Sequence, residues 1–253
     1  MDTIEAHLTQ FQPVSLPDLE KVALLDRMDT KYVFTRTQLP HILSRLKDHY
    51  FILDISDRRM FQYESLYFDS EDFILYNHHY CGRLNRYKVR FRKYVESNIS
   101  YFEIKFKNNK GRTIKSRILH QTCDDIHGKA LELLNEKTPL TGQKLEPKLW
   151  VNYKRVTLVS MDFKERLTLD LDLVFKNGES IETVHELIIA EVKQSKAGKS
   201  VFSRLMKSEH IRRGSISKYC YGVASMFHNI RVNNFKPQIH YLNRILYAAP
   251  SGH

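Results

Sequence analysis

The sequence predicts an α+β protein built on an eight-stranded antiparallel β-barrel, a tunnel with helices on its outside. Apolar and charged residues alternate with period two through a run of successive segments, the pattern of strands with one apolar and one polar face. Most of these segments follow one another with no helix between them, which disfavours a parallel doubly wound sheet. The 14 Tyr and 14 Phe add aromatic bulk that packs well on pleated surfaces.

A helical pattern covers Leu16–Leu25, and Lys31–Thr35 is the first strand. Leu39, Ile42, Leu43 and Leu46 recur at helical spacing and predict a helix over Thr37–His49, with Pro40 in its first turn. Strands follow at Phe61–Phe68, Arg86–Tyr94, Ile99–Lys107 and Arg112–Leu119, the last two joined by the turn-forming Asn108-Asn109-Lys110-Gly111. A helix over Asp124–Glu136, capped by Asp124, interrupts them. Strands at Trp150–Ser160, Arg166–Phe175 and Glu186–Gln194 complete the eight, and helices over Ser200–His210 and Ser215–His228 come last. No low-complexity linker, repeat or composition shift divides the 253 residues, so one domain is expected over 1–253, with its core at about 24–221.

The formal net charge is +11, which implies an anionic partner. Three cysteines, Cys81, Cys123 and Cys220, form neither a CxxC pair nor a metal-ligand spacing. Met1–Gln12 is polar and no stretch is long and apolar enough to span a bilayer, so a cytoplasmic protein without an intrinsic membrane segment is expected. A membrane-bound partner stays open. The 12 histidines show no HExxH spacing, and no Walker pattern is present.

Placement of the charges narrows the partner. Lys88, Arg90 and Arg92 share one strand face, and Tyr87, Val89 and Phe91 the other. Glu103, Lys105 and Lys107 lie opposite Phe102, Ile104 and Phe106; Thr113, Lys115 and Arg117 lie opposite Ile114. Arg166, Thr168, Asp170 and Asp172 lie opposite Leu167, Leu169, Leu171 and Leu173; Glu191 and Lys193 lie opposite Ala190 and Val192; Tyr153 and Arg155 share a face. For one strand this pattern describes a solvated outer face. Repeated on neighbouring strands it brings like charges opposite one another, which repel unless an anion lies between them. Lining a barrel, such a face would clamp phosphoryl oxygens, and a carboxylate would bring a divalent cation to them. Aromatic residues alternate away from the arginines, so no nucleic acid is expected.

Several segments in order resemble the VTC domain, the polyphosphate polymerase branch of the CYTH-like triphosphate tunnel metalloenzymes. They are Asp26-Arg27-Met28-Asp29-Thr30-Lys31-Tyr32, Tyr67-Phe68-Asp69, Val89-Arg90-Phe91-Arg92 and Phe102-Glu103-Ile104-Lys105. Asn152-Tyr153-Lys154-Arg155, Arg166-Leu167-Thr168-Leu169-Asp170, Ala190-Glu191-Val192-Lys193 and Ser217-Lys218-Tyr219 continue the series. The resemblance implies a tunnel of eight strands in which the γ-phosphate of ATP passes to a growing polyphosphate chain with Mn²⁺ or Mg²⁺. The same scaffold with water as acceptor would hydrolyse tripolyphosphate, a nucleoside triphosphate or another triphosphate, and a non-catalytic polyphosphate-binding module is the third reading.

By position, the resemblance implies phosphate ligands at Lys31, Arg90, Arg92, Lys105, Lys115, Tyr153, Arg155, Arg166, Ser217 and Lys218, with Lys193 a further candidate. Arg90, Arg92, Lys105, Arg155 and Arg166 would also stabilise the transferred charge, and Glu191 would be the metal carboxylate. Read from the residues alone, Glu191 could serve only as a partner of Lys193, Lys105 could pair with Glu103, and Tyr153 could be core. Asp170 and Asp172 are expected to balance Arg166 and its neighbours. Arg117 and Lys107 fall outside the resembling positions and read as surface residues. Ser215 stands where the family has a lysine, which points to Arg212 or Arg213 as a substitute.

Overall fold

A period-two pattern fixes which way each side chain points, so the segments with the longest alternation should become the longest strands. The computed structural model describes residues 3–20, 28–194 and 200–247. It contains β1 (Gln12–Val14), β2 (Met28–Thr35), β3 (Tyr50–Leu53), β4 (Phe61–Asp69), β5 (Arg86–Tyr94) and β6 (Ile99–Lys107). β7 (Thr113–Leu119), β8 (Glu146–Ser160), β9 (Glu165–Asn177), β10 (Ser180–Val184), β11 (Leu187–Gln194) and β12 (Arg213–Gly214) follow. The helices are α1 (Ile4–Leu8), α2 (Leu16–Glu20), α3 (Leu39–Leu46), α4 (Ile74–Tyr80), α5 (Gly128–Lys137), α6 (Val201–Ser208), α7 (Lys218–Met226) and α8 (Lys236–Tyr247). The rest of the expected helix over Leu16–Leu25, and the Asp26-Arg27 end of the first family-like segment, lie outside the described residues.

The expected eight-stranded closed barrel is replaced by one twelve-stranded sheet whose main path runs β12-β2-β11-β9-β8-β4-β5-β6-β7. β12 and β7 end that path and do not pair with each other among the described residues. The strands that sequence reading missed are β1, β3, β10 and β12, of two to five residues, too short to show alternation. One pairing, β1 with β3, is parallel. Side chains from nine of the strands, β2 to β9 and β11, nevertheless line a single cavity, so the open sheet curls around it.

Helices cover the outer face. Leu39, Ile42, Leu43 and Leu46 of α3 pack with Phe202 and Met206 of α6 against Phe34, Leu167, Leu169 and Val192. Ala130 and Leu134 of α5 cover Phe68, Val89, Phe91, Phe102 and Ile104. Removing a Leu side chain from such a layer costs about 2–5 kcal/mol. α5 begins at Gly128, with His127 as N-cap, so Asp124 is not its cap. α3 starts behind a short 3-10 turn in which the Gln38 side chain accepts from the Thr35 N–H at 3.0 Å.

The concave face is divided. One half is cationic. The other is apolar and filled by α7, α4 and α8, with Tyr219, Val223, Tyr76 and Leu242 packed on Leu149, Val151, Leu173 and Phe175. Gly222 lets α7 lie this close: a Cβ there would sit 2.4 Å from Phe175 Cδ1 and 2.7 Å from Leu149 Cδ2. The division on β9 comes from a bulge. Asp172 has φ 51° and the register against β8 shifts between Asn152 and Lys154, so the alternation slips by one. Asp170 therefore faces inward, whereas Asp172 pairs with Arg36 at 2.6 Å and Lys154 at 3.1 Å, contrary to the shared face expected from the sequence.

Candidate functional site

Register sets the side chains of neighbouring strands opposite one another. Lys88 on β5 faces Lys105 on β6, which faces Lys115 on β7; Arg90 faces Glu103, which faces Arg117. Across the sheet Glu191 on β11 lies opposite Lys31 on β2, and Lys193 opposite Arg166 on β9. α7 begins with Ser217 as its N-cap, which accepts from the Cys220 N–H and so places Ser217 and Lys218 at the cavity.

All twelve residues named from the sequence, Lys31, Arg90, Arg92, Lys105, Lys115, Tyr153, Arg155, Arg166, Glu191, Lys193, Ser217 and Lys218, line this one space of about 440 Å³. Lys88 lines it too, and so does Arg117, which is exposed as expected and lies at the rim; its guanidinium lies 4.5 Å from the Tyr101 ring centroid. Eleven Lys and Arg side chains thus surround the cavity, and Glu191 is the one carboxylate among its lining residues. Three more carboxylates pair with these cations from outside the lining. Glu103 accepts from Arg90 Nε at 2.9 Å and Nη2 at 2.6 Å and is ion-paired with Lys115. Asp170 accepts from Arg155 Nε at 2.6 Å and Nη2 at 2.8 Å and is ion-paired with Lys218. Asp29 lies 3.8 Å from Lys193, so seven cations remain in excess.

The cations differ in commitment. Arg90, 4% exposed, also donates to Tyr67 Oη at 2.7 Å, so its carboxylate and phenol partners occupy much of its fork. Arg92, 8% exposed, has no carboxylate partner among the described residues; it donates to Tyr153 Oη at 2.9 Å and Ser65 Oγ at 3.3 Å. Lys105 makes no hydrogen bond or ion pair among them. Lys88 donates to Ser217 Oγ at 2.9 Å and Lys31 to the Ile216 carbonyl at 3.0 Å.

The crowding moves protons. Arg90 and burial hold the Lys105 ammonium well below the usual lysine range, with Arg92 acting in the same direction. Burial brings Lys115 down to about 8 despite Glu103. Burial pushes the Tyr67 phenol up, but Arg90, Arg92, Lys88 and Lys218 outweigh it and bring it to about 8. Burial likewise opposes ionisation of Glu191, yet Lys31 and Lys193 hold it well below the carboxylate range.

A second space of about 450 Å³ adjoins it and shares Lys31, Lys88, Lys105, Glu191 and Ser217 with it. Lys107, exposed as expected, lines this second space with Asp29, Arg86, His79 and Ser215. Burial and the neighbouring Lys88 and Arg86 keep His79 neutral. Arg212 and Arg213 line neither part, so they do not replace the family lysine.

Among the described residues no group of three or more His, Cys, Asp or Glu could hold a metal alone. Glu103 and Asp170 are each committed to two cations. Glu191 is ionised, faces the cavity and meets Lys193 at 2.8 Å. A hard divalent cation needs only one or two carboxylates when phosphate oxygens and water complete its shell, so the donor set fits a cation that arrives with its substrate.

Sequence reading missed Thr168, whose Oγ1 is buried in the wall without a hydrogen-bond partner among the described residues. It sits on the charged face of its strand, which was the available signal. Aromatic residues do not all turn away from the arginines: Tyr63, Tyr67 and Tyr94 line the cavity with Tyr153, and Arg155 lies 5.0 Å from the Tyr63 ring centroid.

The family model described as the VTC domain matches residues 26–227. The comparison with curated proteins gives no match. Among solved structures the chain is similar to a Vibrio parahaemolyticus protein proposed as an adenylate cyclase, at 12% identity and TM-score 0.46 over 78% of this chain and 98% of that one. It is similar to a Hippeastrum protein proposed as an adenylyl cyclase with a dominant triphosphatase activity, at 13% identity and TM-score 0.47 over 80% and 98%. A Pyrococcus horikoshii OT3 protein is similar at 15% identity and TM-score 0.40 over 73% and 94%.

Proposed function

The chain belongs to the VTC-domain family, and from that premise we propose that it is a phosphotransferase that lengthens polyphosphate with the terminal phosphoryl group of ATP inside the basic cavity. The observation that carries the reading is the charge imbalance: eleven cations and four carboxylates at one cavity call for a ligand with several negative charges. A single phosphate is too small a counter-charge, whereas a triphosphate beside a chain end matches it.

In the reaction a terminal oxygen of the acceptor chain bonds to the γ-phosphorus, the bridging P–O bond between β and γ breaks, and ADP leaves with the electron pair. The acceptor oxygen is already ionised, so no proton has to be abstracted. Such a transfer depends on alignment and charge neutralisation, which fixed cations provide. Arg92, without a carboxylate partner among the described residues, and Lys105, without a hydrogen bond or ion pair among them, clamp phosphoryl oxygens; Arg155 and Arg166 assist from the facing strands, and Arg90 does so with its remaining N–H donors. Lys31, Lys88 and Ser217 stand between the two adjoining spaces, where a chain longer than one triphosphate would be contacted. Glu191 would hold Mn²⁺ or Mg²⁺ together with substrate oxygens, and the bound ion would neutralise charge across the bridging phosphates.

The test incubates purified protein with ATP, either metal and a short polyphosphate primer. Chains longer than the primer, with one ADP per added unit, are expected on a gel. Free phosphate without longer chains would assign hydrolysis instead, and binding without turnover would leave a polyphosphate-binding module.

A further inference from the structure

Arg212 and Arg213 are unused by the cavity and form a cluster of their own. With Lys207, His210, Tyr32 and Ser203 they line a separate concavity of about 430 Å³. We propose that this concavity is a second anion site, which takes a small phosphoryl anion of the orthophosphate or pyrophosphate class.

Among the described residues no carboxylate lines it, and the side chains of Lys207, His210, Arg212 and Arg213 have no ion pair or hydrogen bond there. The nearest acid in sequence, Glu209, is turned to His41 at 3.0 Å. The end of α6 accounts for Lys207, since a cation in the last turn complements the exposed carbonyls. It does not account for the arginines, which lie beyond the helix. Lys207, Arg212 and Arg213 are exposed, so water screens their mutual repulsion and leaves their donors open to a ligand, and arginine forks match phosphoryl oxygens in pairs. Tyr32 Oη donates to Ser203 Oγ at 3.1 Å, so the Ser203 hydroxyl can give its own hydrogen to a ligand.

The backbone is arranged before any ligand binds. His210 takes φ 56°, the Ile211 N–H donates to the Met206 carbonyl at 2.8 Å, and the chain then enters β12. There Arg213 lies opposite Tyr32 and Gly214 opposite Lys31. Gly214 and Ser215 line the second space beside the cavity, so the two sites share one strand but no cationic side chain.

The test is calorimetric titration with pyrophosphate, repeated with orthophosphate, on the full chain. Wild type is expected to show two pyrophosphate binding events. Arg212→Ala/Arg213→Ala should weaken one of them roughly 100-fold, for two lost charge-assisted contacts, and keep the other. Lys31→Ala/Lys105→Ala should do the reverse, which separates this site from the proposed reaction: a cavity that fails to bind leaves the arginine-dependent event in place. Lys207→Glu, a single exposed change, should abolish the same event as the double variant. An orthophosphate signal that depends on the arginines would show that one phosphoryl group suffices; its absence beside a pyrophosphate signal would assign a diphosphate site. Titrations of the arginine and Lys207 variants that match wild type for both anions would overturn the proposal.

Discussion

Glu103 offers the sharpest test of how the cationic wall holds together. It is 0% exposed, accepts twice from Arg90 and is ion-paired with Lys115. Replacing it with Gln keeps the volume and one acceptor but removes the charge, and two cations lose their counter-ion. Breaking a buried pair from one side costs about 3–5 kcal/mol. Arg90 keeps Tyr67 and Lys115 is a third exposed, so the lower end, about 3 kcal/mol, is expected. In a chain of this size that lowers Tm by about 6–12 °C, readable by scanning fluorimetry. Tripolyphosphate should return the missing negative charge. Because ligand stabilisation grows with [L]/Kd, the variant should gain more than wild type at the same ligand concentration. A Glu103→Gln protein that melts with wild type, or gains less from tripolyphosphate, would refute this account of the wall.

Gly222→Ala should push α7 off Phe175 and Leu149, destabilise the fold by about 1–3 kcal/mol and weaken tripolyphosphate binding by displacing Ser217 and Lys218; thermal melts and titration check both. Arg92→Ala should weaken tripolyphosphate binding more than Arg117→Ala, by roughly tenfold or more for its lost charged contact, since Arg92 is buried and without a carboxylate partner among the described residues. Affinity should also fall as pH rises above about 8. Lys115 and Tyr67 both titrate at about 8, and a bound polyanion raises both values by favouring the ammonium and the neutral phenol. Binding then takes up protons, is full below the free-state values and is lost above them, by at most about tenfold per pH unit for each coupled proton. Titration from pH 7 to 10 checks this, and a flat profile would contradict it.

Long alternating strands were legible because period two reports both the strand and its inward face. Arg86–Tyr94 and Ile99–Lys107 form with the bounds the pattern predicts, and Lys88, Arg90, Arg92 and Lys105 of their charged rows line the cavity. Short pairings were not legible. β12 has two residues, and only its position beside Tyr32 and Lys31 makes it a strand; that pairing keeps the following residues extended, so α7 begins at Lys218 rather than Ser215. The bulge at Asp172 also escaped, because one residue of positive φ reverses a face without changing the alternation on either side. Commitment within the site depends on which carboxylate reaches which cation. Arg90 and Arg92 look equivalent in sequence, yet Glu103 lies opposite Arg90, while Tyr101 lies opposite Arg92.

A crystal structure with tripolyphosphate bound would test the central claim most directly. Phosphate density inside the curled sheet, within hydrogen-bond reach of Arg92 and Lys105, is the expected result. Saturating ligand that leaves this space empty and binds on the outer surface would contradict it.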